Sequence, residues 1–363
     1  MTRRVLVARL DSLGDVVLAG PAVRAVAAGR PGEATEVWLL CGPRGAPAGR
    51  LLPGVHEVLT WSCPWIADPA PAPTPEKVDE LHELVRSCDP DEAVILTSFH
   101  QSPLPLALLL RLAGVSPIVG ASVDYAGTLL DLRLRPGDDF PEDQPEVLRA
   151  LRIVAALGYT LPSGDDGRLR LLPVAPVSAA GSYLVVHPGA DAPARSWPAE
   201  HFRALVAMLT DRGLRVTVTG GPGERELTRF VCGVDGVDLG GCTDAAELAA
   251  LLAGAAAVIT GNTGPAHLAA AVGTPVVSLF APVVPLVRWG PYGVDCEILG
   301  DQDAPCRGSR ARTCPVPGHP CLTGVSPTDA VGATLRLLSR TGRHSGRKAG
   351  AASSVTTTGE GAA

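Results

Sequence analysis

Short, mainly apolar runs alternate along most of the chain with longer stretches whose apolar residues recur every three or four positions. Residues 5–8, 36–40 and 91–96 read as buried strands, and 15–28, 77–87, 104–112 and 146–157 as helices. The proline- and alanine-rich stretch 64–75 holds neither pattern and predicts an exposed loop. Residues 163–179, rich in Gly, Pro and Asp, predict a linker, after which the alternation restarts. Strands are expected at 183–187, 216–219, 257–260 and 275–280, and helices at 199–212, 224–231, 245–255, 265–272 and 327–340. Two α/β units follow, each a doubly wound parallel sheet. Residues 341–363 lack any period and read as a disordered tail.

Two polar interruptions stand out against this pattern. Arg9-Leu10-Asp11-Ser12-Leu13-Gly14-Asp15 and Gly261-Asn262-Thr263-Gly264-Pro265-Ala266-His267 each leave a predicted strand and open a predicted helix. Open α/β sheets place ligands at such points. The first segment offers carboxylates. The second offers an anion cradle: Pro265 suits a first helical position, Gly264 permits close backbone approach, and free amides with the helix dipole attract negative charge.

Composition narrows the function. At 363 residues the chain exceeds one ordinary core and predicts two domains. The net charge of −6 lies wholly in residues 1–170, with 16 basic against 22 acidic side chains, while residues 171–363 balance at 15 each. Nucleic acid is therefore not an expected partner. No uncharged apolar run reaches 18 residues, and the start is too short and too soon charged for a signal peptide, so the expectation is a cytoplasmic protein with at most peripheral membrane contact. Nine cysteines then read as free thiols or a local metal site. Cys306, Cys314 and Cys321, near His319, lack the close C-x2-C pairs of a zinc site, so no metal is assigned; Asp301-Gln302-Asp303 is a D-x-D that chance supplies in an acidic chain.

Residues 4–21 (RVLVARLDSLGDVVLAGP), 186–202 (VHPGADAPARSWPAEHF), 219–226 (TGGPGERE) and 261–291, in this order and spacing, resemble family 9 glycosyltransferases, the ADP-heptose:lipopolysaccharide heptosyltransferases. The resemblance runs from about residue 4 to 338. It implies a GT-B fold, two facing Rossmann-like domains with a cleft between them: acceptor side 1–170, nucleotide-sugar side 171–326, and a last helix at 327–340 that crosses back to the first domain. The implied activity is inverting, cofactor-free transfer of a heptose from an ADP-sugar donor to a glycan or glycolipid acceptor. Such a transfer needs a general base on the acceptor hydroxyl and stabilisation of the departing diphosphate.

The resemblance places Asp15 at the base position, although an Asp after Gly14 also suits a helix N-cap. A helix N-terminus depresses a carboxylate's pKa, so the base is expected to be weak, deprotonation lagging behind bond cleavage in an oxocarbenium-like transition state. Thr263 and Gly264 would hold the diphosphate with Arg195, a guanidinium suited to bidentate contact. Glu224 would accept from the ribose hydroxyls. Asn262 stands where the family often has Asp, and His267 reads equally as a core histidine or a phosphate donor. Asp11 departs from a small polar residue and reads first as solvated, otherwise as an alternative base or acceptor contact. His100 and Gln101, in the loop after residue 96, are candidate acceptor contacts. The rival classes are a dinucleotide-dependent oxidoreductase, disfavoured because Gly220-Gly221-Pro222-Gly223 is not G-x-G-x-x-G, a non-catalytic nucleotide-sugar binder, and a GT-B enzyme using another sugar nucleotide on a secondary metabolite.

Overall fold

The computed structural model describes residues 2–176 and 183–343. Strands β1 (Arg3–Arg9), β2 (Thr35–Cys41), β3 (Val55–Thr60), β4 (Glu92–Ile95), β5 (Ile118–Ala121) and β6 (Leu132–Leu134) form one sheet, ordered β3-β2-β1-β4-β5-β6. Strands β7 (Leu184–His187), β8 (Val216–Gly220), β9 (Val237–Gly240), β10 (Ala257–Gly261), β11 (Val276–Leu279) and β12 (Cys296–Leu299) form a second, ordered β12-β11-β10-β7-β8-β9. Counted within its own half, each sheet has the Rossmann order 3-2-1-4-5-6, and all its pairs are parallel. Helices cover both faces, which is why central strands such as β4, β7 and β11 are buried at every position and read as mainly apolar runs.

Five strands escaped the pattern of the sequence, and four of them are the sheet edges β3, β6, β9 and β12. An edge is covered on fewer sides, so His56, Glu57, Asp238 and Glu297 interrupt its apolar residues. The expected helix 15–28 is two helices, Leu13–Leu18 and Gly20–Ala27. Pro21 explains the break, since it has no N–H for Val17 and its ring crowds that carbonyl.

The last helix, Pro327–Thr341, does not cross back. It buries Ala330, Val331, Ala333, Leu337 and Leu338 with Phe202, Leu205 and Leu209 in the core of the second sheet. Its Ser326 cap accepts from the Asp329 amide at 3.1 Å. Within the expected linker, residues 165–172 still belong to the first half: Asp165 pairs with Arg24 at 2.7 Å, and Leu172 N–H donates to Leu51 O at 2.7 Å. Residues 177–179 of that linker and 344–363 of the tail lie outside the described residues.

One of the links between the halves is an apolar core. Val16, Val17, Ala22 and Val26 share one core with Leu248, Leu252, Leu268 and Ala269. At its edge the helices Leu13–Leu18 and Gly264–Ala271 approach through two glycines. A Cβ on Gly14 would lie 2.7 Å from His267 Cδ2 and 3.3 Å from Gly264 Cα, and one on Gly264 would lie 2.9 Å from Leu13 Cδ2. We expect Gly14→Ala to destabilise the protein by about 1–3 kcal/mol through overpacking, despite alanine's better helix propensity, as read by urea unfolding. An unchanged unfolding midpoint would show that the contact yields without strain.

Candidate active site

Each sheet changes direction beside its first strand, β1 in one and β7 in the other, and the candidate residues come from the loops that leave these strands and their neighbours. β1 delivers Asp11 and Asp15, β4 delivers His100 and Gln101, β7 leads to Arg195, and β10 leads to Asn262, Thr263, Gly264 and His267. Two connected cavities result, of about 450 and 890 Å³. The smaller is lined by Asp11, Asp15, His100, Arg195 and His267 among others, and the larger by His187, Gly189, Glu224 and Asp244. Both include Ser12, Gly14, Thr263 and Gly264.

Asp15 is not a helix cap. Ser12 occupies that position, and its hydroxyl donates to Asp15 Oδ2 at 2.8 Å. Asp15 Oδ1 accepts from Arg9 Nη2 at 3.0 Å and from Trp289 Nε1 at 3.2 Å. Burial pushes this carboxyl up, but the Arg9 charge and the Ser12 and Trp289 hydrogen bonds outweigh it, so the pKa lies below the ordinary value. Arg9 itself is only 3% exposed. It also meets Asp11 Oδ2 at 3.0 Å, Glu146 Oε2 at 3.7 Å and the Ser98 hydroxyl at 2.9 Å.

Asp11, expected to be solvated, is enclosed instead. Its side chain is 10% exposed, and Gln101 donates its amide N–H to Oδ1. Burial is the largest influence and, despite Arg9, pushes the carboxyl up to about 6. Of the two loop acids, Asp15 is therefore the ionised member and Asp11 takes a proton before it does. Gln101 is occupied at both ends, since its carbonyl accepts from Ser98 N–H at 3.1 Å. His100 stands at the rim, its pKa lowered first by partial burial and then by Arg310. It is a neutral imidazole at neutral pH.

Across the cleft, the Thr263 hydroxyl makes no cap hydrogen bond and lies 3.3 Å from the Thr260 hydroxyl, which leaves it capacity for a ligand. Arg195 is half-buried, and desolvation lowers its pKa while Asp15 opposes that. Asn262 spans the main chain of Ala281, accepting from its N–H at 3.3 Å and facing its carbonyl at 3.5 Å. Its amide thus braces the β11 exit while the residue lines the smaller cavity. His267 is 4% exposed, and desolvation pushes it down to about 4; its Nδ1 has no partner. Glu224 accepts from Gly221 N–H at 2.7 Å through Oε2 and lies 3.8 Å from His187 Nε2. A Cβ on Gly189 would fall 2.0 Å from Glu224 Oε1, so any larger residue there would displace this carboxylate.

Reading the residues in order had not singled out Arg9, Ser98, Glu146, Arg288 or Trp289. Arg9 alone carried a local signal, a charge closing the apolar run Val5–Ala8. Among the described residues no His, Cys, Asp and Glu group is arranged to hold a metal. Cys306 and Cys321 are buried in the second core, His319 Nε2 faces Ala194 O at 3.1 Å, and Asp301 accepts from the Asp303 amide at 2.9 Å within its own turn.

Two Rossmann-order sheets with the loops that line the cavities converging from both define a GT-B fold. Residues 100–319 match glycosyltransferase family 9 (heptosyltransferase). The chain is 30% identical to lipopolysaccharide heptosyltransferase 1 of Pseudomonas aeruginosa, over 86% of this chain and 87% of that one. Its fold is similar to that of the family 9 glycosyl transferase of Veillonella parvula (TM-score 0.73, 17% identity, 93% and 97% of the two chains covered). It is also similar to Escherichia coli heptosyltransferase WaaC with ADP-2-deoxy-2-fluoro heptose (TM-score 0.67, 20% identity, 93% and 99% covered). The chain belongs to glycosyltransferase family 9, the heptosyltransferases.

The raised Asp11 pKa has a signed consequence. Because the folded value of about 6 exceeds the unfolded one, the stability linked to this proton is complete below the unfolded pKa and is lost as pH rises through 6. Asp11→Asn does not titrate and escapes that loss. Its unfolding midpoint should exceed wild type at pH 8, with the advantage shrinking toward pH 4. A constant difference across this range would show that Asp11 titrates at an ordinary value.

Proposed function

We propose that this protein transfers a heptose from an ADP-heptose donor, with inversion and without a metal, to a hydroxyl of a lipopolysaccharide-core-like or other glycan acceptor. The observation that carries this reading is the Thr263-Gly264 turn shared by two cavities, with Asp15 in the smaller and Glu224 in the larger. The larger cavity would take the nucleoside, Glu224 meeting ribose hydroxyls, and the shared turn the diphosphate. Residues 1–170 would then form the acceptor side and 171–326 the donor side. The donor assignment draws on similarity to WaaC, solved with ADP-2-deoxy-2-fluoro heptose, and the acceptor class on similarity to the lipopolysaccharide heptosyltransferase 1 of Pseudomonas aeruginosa.

The chemistry follows from the groups available. As the acceptor oxygen bonds to the anomeric carbon, its proton passes to Asp15, and the bond to the β-phosphate breaks with its electron pair leaving on ADP. Arg195, the Thr263 hydroxyl and the amides opening the helix Gly264–Ala271 supply positive potential for the diphosphate, the role a metal plays elsewhere. No described helix is long and apolar enough to cross a membrane.

Thermal-shift titration with ADP, UDP and GDP tests the donor. ADP should stabilise selectively, and preference for UDP or GDP would discard the ADP-sugar. Asp15→Asn should lose about 10²–10⁴-fold in transfer while keeping the ADP response. Arg195→Ala should weaken that response as well. Wild-type turnover by Asp15→Asn would sink the assigned base.

A further inference from the structure

Trp289 belongs to the second half of the chain, yet its indole N–H reaches Asp15 Oδ1, 274 positions away, at 3.2 Å. It ends the short helix Leu286–Trp289, which follows β11. The preceding residue clamps this helix onto the first half. Arg288 is 2% exposed and reaches Glu142 at 2.8 Å and Glu146 at 3.4 Å. Its guanidinium stacks 4.3 Å from the Phe99 ring centre, and the Trp289 ring lies 5.7 Å from the same ring. A buried cation with carboxylate partners and an aromatic face is costly to displace, so the indole stays where the clamp puts it.

The three hydrogen bonds to Asp15 are unevenly shared. Among the described residues, Oδ1 receives two, from Arg9 and Trp289, whereas Oδ2 receives only that of Ser12. Oδ2 retains the freer lone pair. We propose that Trp289 is a positioning residue for transfer: supplied by the donor half, it saturates Oδ1, leaves Oδ2 to take the acceptor proton, and completes the base only when the two halves are together. This rests on Asp15 being the base.

Trp289 also acts against proton uptake, because its N–H stabilises the ionised carboxylate. The other charged or titratable groups facing Asp15 are Arg9 and Asp11 from β1 and its loop, His100 from the β4 loop, Glu146 from the helix Glu146–Ala155, Arg195 from the β7 loop, and His267 from the helix Gly264–Ala271. All remain in a Trp289→Phe variant. That variant keeps an aromatic ring against Phe99 and removes only the donor.

Steady-state kinetics across pH test the proposal on Trp289→Phe, Trp289→His and Asp15→Asn, each checked for a wild-type melting temperature. Trp289→Phe should lower kcat by about ten- to a hundredfold, the loss of one hydrogen bond to a charged group, with both KM values within about twofold. The acid limb of its kcat profile should move to higher pH. Trp289→His, which restores a ring N–H, should recover part of kcat and move the limb back. An unmoved acid limb in Trp289→Phe overturns the proposal, whether kcat is unchanged or falls together with the melting temperature. Active Asp15→Asn sinks the base assignment itself; inactive Asp15→Asn beside an indifferent Trp289→Phe sinks the positioning role alone.

Discussion

The buried guanidinium of Arg9 is the constraint on which the site depends. It closes β1 at 3% exposure, with Asp11, Asp15 and Glu146 arranged around it within 3.0 to 3.7 Å. An isolated charge at this depth would be strongly unfavourable, and an isolated carboxylate would neutralise by taking up a proton. Each group keeps its charge only because the others are present. The three acids outnumber the cation, and all are buried, so hydrogen bonding separates the two in the loop: Asp11 moves up to about 6, while Asp15, with Ser12 and Trp289 as further donors, stays ionised. A lysine could not replace this arrangement, since three directions of approach need the planar fork.

That network links the halves of the molecule. Glu146 touches Arg9 on one side and Arg288, from beyond β11, on the other. Asp15 is likewise held by a residue from each half, Arg9 and Trp289. The helices Leu13–Leu18 and Gly264–Ala271 meet through glycines beside the same carboxylate, and an apolar core runs behind them. Interfaces within a chain are usually polar and permit motion. Here the apolar core and the buried charges both favour the apposed arrangement, so separating the halves would expose apolar area and strip Asp15 of a donor at once.

Much of this was legible in the sequence because parallel sheets bury both faces. Central strands announced themselves as mainly apolar runs, and the polar residues ending them marked the loops that line the cavities. The edges β3, β6, β9 and β12 were hidden, because partial exposure lets charged residues interrupt the run. At the site, Asp15 and the Thr263-Gly264 turn stood out through local pattern. Trp289 and Arg288 did not, since their meaning comes from what they touch across more than 140 positions. Asp11 was misread as solvated for the same reason: a loop carboxylate looks exposed until Gln101 closes over it, and Gln101 is 90 positions away.

The lowered pKa of Asp15 looks at first like a poor choice for a base. A carboxylate relieved of its donors would hold a proton more tightly and attack an acceptor hydroxyl more readily. It would also be neutral for part of the time in so buried a place, and a neutral acid cannot stabilise positive charge developing at an anomeric carbon. With bond cleavage running ahead of attack, as the proposed transfer implies, the acceptor proton becomes acidic only late, when the new bond is largely formed. A permanently ionised carboxylate with one oxygen held fixed then serves better than a stronger base whose charge fluctuates, because the field it supplies needs no reorganisation at the moment of reaction. In the proposed transfer, the hydrogen bonds that would weaken Asp15 as a base are the same ones that keep it charged and pointed.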